Sequence, residues 1–411
     1  MPYVDLRHSE VQLYWTSNIP GDDLNCLHTH PKPLIILLHP VLLSSEWRKH
    51  QLEDPNLNRA FYMIAIDGPT SGRSKCKNYL AHEHALKHDT WAEAAMLALF
   101  SQSLSLPPFH ILAEQVVACD VANKFAILFP QQCLSLTLLA VFPPVDDPGF
   151  HQSYQEASLT WAGAQDLETL EEAQSGFAWL YFFTDREYNS LDEDEMDRFM
   201  EYFRTRHGPG DPSNGLLSAG ITAGCRQPPS PEQLALIRQP ILLMQGANSL
   251  ISMMSAAEEQ AALYASAKVQ LEPIPGAPLI FGVTKRWAPT VNQNIASFIT
   301  SQVFDPANFC SIDEAALRNA LKQIAESEYQ PSIAKRDPMS MWNYSRVAAG
   351  TAEHIRARLI PALTLEGKPP MIPPGHCIRK YSERHDEKWS TPHILGPCPL
   401  YSTVSMTTSH A

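Results

Sequence analysis

Residues 109 to 130 read FHILAEQVVACDVANKFAILFP, and the spacing of apolar residues changes partway along them. Phe109 to Leu112 is a short continuous apolar run, the length of a buried strand. Further on, Val117, Val121, Phe125 and Leu128 recur at helical spacing. A strand over 109–113 that turns sharply into a helix starting near Val116 is therefore expected, with Gln115 at the turn. A carboxamide there can donate or accept a hydrogen bond but has no proton chemistry to offer as a nucleophile.

The rest of the chain fits a large globular α/β protein. Its 411 residues suit two to three domains, or one large domain with insertions. A hydrophobic fraction of 44% is ample for a core. Net charge is −13, from 44 acidic and 31 basic residues with no strong basic block, so nucleic acid is not an expected partner. The cysteines at 26, 76, 119, 133, 225, 310, 377 and 398 form no C-x-x-C pair, which argues against a zinc site or a redox motif. Isolated thiols fit a reducing, cytoplasmic setting. The opening MPYVDLRHSEVQLYW alternates like a strand and lacks the order of a signal peptide. No apolar run approaches the ~20 residues of a membrane span. The final Ser409-His410-Ala411 only loosely resembles a peroxisomal tripeptide.

Taken in order, Tyr3 to Trp15 reads as a hairpin. LIILL then leads into His39-Pro40, and FYMIAID leads into a Gly-rich turn, Gly68 to Ser74. Asp89 or Thr90 opens a helix carrying Trp91, Ala95, Ala98 and Leu99, with Thr90 and Glu93 at capping-box spacing. CLSLTLLAVF, from Cys133 to Phe142, is a further buried strand. Buried strands alternating with helices imply a mostly parallel sheet covered on both faces.

This order resembles the α/β-hydrolase family at several points. His39-Pro40 sits where that family has His-Gly before its oxyanion loop, and Asp67 to Ser74 loosely matches D-x-x-G-x-G-x-S. Ala113-Glu114-Gln115-Val116-Val117 stands where G-x-S-x-G forms the nucleophile elbow. IRQPILLMQGANSLI, from Ile237 to Ile251, matches the segment that delivers the acid, and LEPIPGAPLIF, from Leu271 to Phe281, the one that delivers the histidine. A closing helix with Val291, Ile295, Phe298 and Ile299 on one face completes the match, which spans residues 3 to 302. The resemblance implies a hydrolase-like core in two parts, 1–145 and 240–302, with a helical lid at 146–239. Ser190 and Glu193 form a candidate capping box in the lid, before Met196, Phe199, Met200 and Phe203; the acidic run 192–197 reads as a solvated face. Residues 303–411 extend beyond the family's usual end. Ser311 and Glu314 have capping-box spacing before a stripe of Leu317, Leu321 and Ile324, and a short helix is expected around 351–359. From Lys368 onward, frequent prolines favour a loosely held segment.

The same resemblance locates the triad positions. The nucleophile position is Gln115, the acid position Ser249 and the histidine position Leu279. Asp146 or Asp147 is an alternative acid, which rescues nothing without nucleophile and base. The oxyanion donors would be the N–H groups of Val41 and Val116. Gln115 is expected either to touch a ligand or to cap the helix or fill the pocket. His39 is expected to line the cleft or to bond the oxyanion loop, and Cys119 to point into the core. His82, His84 and His88 have a spacing that could bind metal, though a solvated loop is the simpler reading. Trp161, Trp179, Tyr181, Phe182 and Phe183 are expected to pack the lid.

The reading is a non-hydrolytic protein of α/β-hydrolase-like fold, binding a small apolar molecule or a protein partner, the latter through the C-terminal extension, with no cofactor or metal. Two alternatives stay open: an enzyme of small-molecule biosynthesis that uses the retained oxyanion pocket for cyclisation, isomerisation or proton transfer, and an esterase whose motifs have been misaligned.

Overall fold

A computed structural model describes residues 2–29, 32–77, 79, 87–143, 156–157, 160–161, 167–182, 193–207, 218–220, 222, 226–249, 251–304 and 308–347, with 350, 353–354 and 357 beyond them. Among the described residues nine strands form one sheet: β1 Tyr3–Leu6, β2 Val11–Ser17, β3 Leu34–Leu38, β4 Tyr62–Ile66, β5 Lys75–Cys76, β6 Phe109–Glu114, β7 Cys133–Leu139, β8 Ile241–Gly246 and β9 Val269–Ile274. Their order is β1-β2-β4-β3-β6-β7-β8-β9, with β5 beside β2. The β1–β2 pair forms the expected hairpin, β2 runs antiparallel to β4, and every pair from β4 to β9 is parallel.

The all-apolar runs became central strands because both of their faces are covered. Every residue of β3, β4, β6 and β8 is buried. Ile35, Leu37, Met63 and Leu112 point to one core, whereas Leu34, Ile36, Ile64 and Ile111 point to the other. Edge strand β1 instead alternates exposed and buried residues.

The described helices of ten residues or more are α1 Thr90–Ser103, α2 Val116–Leu128, α3 Leu167–Phe182, α4 Glu193–Arg206, α5 Met254–Leu263, α6 Ala288–Thr300 and α7 Glu314–Ser327. Helix α6 places Val291, Ile295, Phe298 and Ile299 in the second core, as their spacing requires. Between β7 and β8, helices α3 and α4 bring Phe177, Tyr181, Met196, Phe199 and Phe203 to that same face. No helix among the described residues is long and apolar enough to cross a membrane.

Two caps differ from their sequence signatures. Helix α1 is capped by the Asp89 carboxylate, which accepts the Ala92 N–H at 2.8 Å, so the Thr90–Glu93 box is not formed. Helix α7 is capped by Asp313 and not by Ser311, whose hydroxyl donates to the Leu106 carbonyl. In both cases a carboxylate next to the helix start takes the free N–H ahead of a nearby hydroxyl. The Ser190–Glu193 box has its first residue outside the described residues.

The C-terminal extension is built into the core. Helix α1 is buried nearly all round, from Trp91 to Ser101, and the sheet can cover only one side of it. Leu317, Leu321 and Ile324 of α7, then Ile333, Met341, Trp342 and Tyr344, join the same core cluster. The Trp342 indole donates to the Ser9 carbonyl at 2.8 Å, and the Met341 N–H donates to the Ser9 hydroxyl at 2.9 Å. Asp89 also receives the Ser345 hydroxyl at 3.1 Å and the Arg346 N–H at 2.8 Å. The apolar stripe, whose spacing leaves it to pack either on the domain surface or on a partner, packs on this chain itself, as a docked helix. The expected helix at 351–359 and the Pro-rich segment fall almost entirely outside the described residues.

Candidate functional site

The parallel strands all end at one edge of the sheet, where loops and helix starts meet. Gln115 lies at that edge, between β6 and α2, with φ 74° and ψ 164°. That backbone region is nearly reserved for glycine and costs a glutamine about 1–3 kcal/mol. Two backbone bonds hold it: the Gln115 N–H donates to the Leu139 carbonyl, and the Cys119 N–H donates to the Gln115 carbonyl, each at 2.9 Å. The strained turn is present without a serine. Nor does the side chain cap the helix.

The carboxamide turns away from the helix, towards the loop after β3. Its Oε1 accepts the Val41 N–H at 2.8 Å. Val41 was the expected donor to a ligand carbonyl, and here its hydrogen bond is made within the chain. Tyr181, from α3, donates to the Val41 carbonyl at 3.1 Å and is also hydrogen-bonded to Gln115. Burial raises the Tyr181 phenol above its usual range, with the Gln115 bond opposing. Gln115 is 2% exposed, so the fold's usual reaction point is covered. Leu42 follows Val41 with φ 64°, and its carbonyl lies 2.8 Å from His207 Nε2. A second strained residue thus belongs to the same loop. The N–H of Val116, the other expected donor, opens α2.

Below the elbow lies a buried ion pair. Arg48 Nη1 is 2.9 Å from Glu114 Oε2, and both side chains are fully buried. Arg48 also donates to the Leu38 carbonyl. Burial lowers the guanidinium's pKa and Glu114 opposes that shift. The other carboxylate oxygen accepts the N–H groups of Phe281 and Gly282, at 2.8 and 2.6 Å. Glu114 therefore ties the end of β6 to the loop after β9. A Cβ on Gly282 would stand 2.8 Å from Glu114 Oε2, so this close approach requires glycine.

The loops after β8 and β9 carry the other two inspected positions. Ser249 sits in the turn after β8, where its hydroxyl accepts the Ser252 N–H at 3.1 Å. Leu279 is 1% exposed and packs in the second core with Ile280 and Phe281. Asp146 and Asp147 lie outside the described residues.

His39 is a structural joint. Its Nδ1 is 2.8 Å from the Pro40 carbonyl, and its Nε2 accepts the Gly68 N–H at 3.0 Å. Those bonds fix the neutral ring with the proton on Nδ1, and burial lowers the pKa against the pull of Asp67. Beside it, Asp67 accepts the N–H groups of Ser45 and Arg73 at 2.6 and 2.7 Å. Gly72 follows with φ 55°, and a Cβ there would come within 2.1 Å of Asp67 Oδ2. Gly72→Ala is accordingly expected to lower stability by about 2 kcal/mol or more in urea unfolding, because strain and collision act together. A midpoint equal to that of the unmodified chain would show that the turn adapts freely. Cys119 points into the core: its thiol approaches the Leu139 carbonyl at 3.3 Å, and burial raises it well above the usual range.

His88 departs from the solvated-loop reading. It is 1% exposed. Its Nδ1 lies 2.7 Å from the Tyr79 hydroxyl and 2.9 Å from the Ser218 hydroxyl, while its Nε2 lies 2.9 Å from Glu93 Oε1. Trp342 of the extension packs edge-on to the ring at 5.6 Å. Sequence reasoning missed this cluster because its members come from four separate segments. The one available signal was the mismatch between a histidine in a polar stretch and the all-apolar helix it precedes. His82 and His84 lie outside the described residues, and no group of three potential metal ligands occurs among those described.

A cavity of about 50 Å³ adjoins the elbow. His39, Thr70, Glu93, Ser218 and Thr222 supply its polar wall, and Met96, Val117 and Val121 are among its apolar lining. Its volume is far below the roughly 300–1,000 Å³ of drug-sized sites. A larger groove of about 330 Å³, between Tyr14, Ser44, Lys49 and Arg73, is lined by none of these residues. Trp161, Tyr181 and Phe182 pack in the second core, as expected, whereas Phe183 and the Trp179 side chain lie outside the described residues.

No family model matches the chain, and no curated protein matches it. Solved structures do. A hydrolase from Pseudomonas aeruginosa PA01 is 19% identical, with 73% of this chain and 98% of that one covered at a TM-score of 0.55. An esterase from Exiguobacterium antarcticum is 15% identical, covering 73% and 99%, at 0.56. The enol-lactonase from Burkholderia xenovorans LB400 is 13% identical, covering 73% and 100%, at 0.57. At such identities the likeness is one of fold.

Proposed function

We propose, from the α/β-hydrolase fold that this chain has, that its elbow has become a closed joint, and that the protein acts by binding and not by hydrolysis at that point. The observation that carries this is the 2.8 Å hydrogen bond from the Val41 N–H to Gln115 Oε1. In working members of the fold that N–H is free to stabilise the oxygen of a reacting carbonyl. Here the chain supplies its own carbonyl oxygen to it. An incoming substrate would have to displace that oxygen and leave a buried carboxamide without its partner, at a cost of about 1–3 kcal/mol. Ser249 and Leu279 offer neither carboxylate nor imidazole to activate anything bound there. The engaged donor also weighs against a biosynthetic enzyme built on a vacant oxyanion pocket. The space beside the elbow suits a ligand of a few heavy atoms.

The test separates the elbow from the rest of the chain. Gln115→Ala frees the Val41 N–H, yet ester turnover, whatever its level, is expected to stay unchanged. Peptide mapping after treatment with a serine-directed fluorophosphonate is expected to show no adduct on Ser249. An adduct there, or a turnover that depends on Gln115, would overturn the reading.

A further inference from the structure

We propose that Ser218, His88 and Glu93 form a nucleophile–base–carboxylate relay, displaced from the elbow, that takes a short acyl group of about acetyl size from an ester bound in the adjoining cavity. The inference rests on the reading that the elbow supplies no nucleophile, since two acyl-accepting centres would contend for one small space.

The geometry assigns the roles. Glu93 Oε1 stands 2.9 Å from His88 Nε2 and holds the ring proton on that nitrogen. Nδ1 is then left as a lone pair 2.9 Å from the Ser218 oxygen, within reach of the hydroxyl proton. The Tyr79 hydroxyl, 2.7 Å from the same Nδ1, shares that lone pair as a donor in the neutral ring and turns to accept from the imidazolium once it forms. Trp342 packs against the ring and fixes its tilt.

Two features point to a ligand and not merely to a buried polar cluster. Ser218 and Glu93 both reach the wall of the cavity. Thr222, four residues beyond Ser218 and also helical, lines it too, and its hydroxyl is buried with no hydrogen-bond partner among the described residues. An unpaired buried hydroxyl is costly unless something binds it. It is the available donor to an acyl oxygen. A cavity of about 50 Å³ limits the acyl chain to two or three carbons.

In the first step the Ser218 oxygen bonds to the acyl carbon while its proton passes to His88 Nδ1. The ester C–O bond then breaks, and the departing alcohol leaves with that proton. Water, deprotonated by His88 in turn, attacks the acyl carbon; the acyl–serine bond breaks, His88 returns its proton to the Ser218 oxygen, and the carboxylic acid leaves. Ser218 and His88 are the catalytic residues, and Glu93 is a positioning residue.

The experiment treats the full chain with p-nitrophenyl acetate and maps acetylation by mass spectrometry. In samples acid-quenched during turnover, one acetyl group on the peptide bearing Ser218 is expected, together with release of nitrophenol. Ser218→Ala should abolish that acetylation, and His88→Gln should slow it at least about 100-fold. Glu93→Gln should slow it as well, and Glu93→Asp should restore part of the rate, which a merely structural role would not do. Circular dichroism identifies any variant that fails to fold, and the wild-type modification site then decides the matter. A folded chain that gains no acetyl group on Ser218, or one whose acetylation is indifferent to His88→Gln, would overturn the relay. Acetylation of Ser249, or release that depends on Gln115, would instead overturn the elbow reading.

Discussion

A chain ended at Gln302 is expected to lose its cooperative urea transition or to elute as aggregate. The α/β part would then be intact in sequence, yet α1 would have lost one of the two surfaces that bury it. Leu317, Leu321, Ile324, Ile333, Met341, Trp342 and Tyr344 all pack in the core that α1 shares. Each such side chain is worth about 1.5–3 kcal/mol of burial. Part of that is offset by ordering entropy that the shorter chain no longer loses. The helix left behind has no such offset: its apolar outer face meets water, and Asp89 loses Ser345 and Arg346. A net loss of several kcal/mol is comparable with the whole stability of a domain. The exposed face is also large enough to drive association. A chain ended at residue 367 serves as the control, because every contact named here is made by residues up to 347. A monomeric Gln302 truncation with an unchanged urea midpoint would show that the extension is a surface attachment.

Single substitutions in the buried ion pair are expected to cost about 3–5 kcal/mol each, because the partner left behind is a buried, uncompensated charge. Arg48→Met strands the Glu114 carboxylate among apolar residues. Glu114→Gln strands the guanidinium and weakens the two backbone bonds from Phe281 and Gly282. The double variant Arg48→Met/Glu114→Gln removes both charges, so its cost should fall below the sum of the single costs by about 1–3 kcal/mol. Urea midpoints for the four chains complete the cycle. Additive costs would show that the two groups do not act as a pair. The magnitude matters for the site, since Glu114 is adjacent to Gln115 and anchors the loop that carries Leu279.

The readable part of the site was its backbone. An apolar run followed by helical spacing placed Gln115 at a turn, and the structure has β6 ending at Glu114 and α2 starting at Val116. The destination of the side chain was not readable. Gln115 pairs with a residue 74 positions away. The Arg48–Glu114 bond spans 66 positions, and His88 meets Ser218 across 130. The caps failed for a smaller reason: two acceptors near one helix start compete, and local geometry chooses between them.

Sequence alone determined the N-terminal hairpin, strands β3, β4, β6 and β7, the helices α1, α2, α4, α6 and α7 with their apolar faces, and that the sheet must be covered on both sides. These follow from periodicity, a property of neighbouring residues that holds wherever the segment ends up. Tertiary structure alone decided that the extension covers α1, that the Val41 N–H is taken by Gln115, and that a histidine from a polar loop lies buried between Ser218 and Glu93. These are pairings of groups distant in the chain, fixed by strand order and by the path of the loops. A hydrogen bond has no period, and neither end of it carries a mark of its partner.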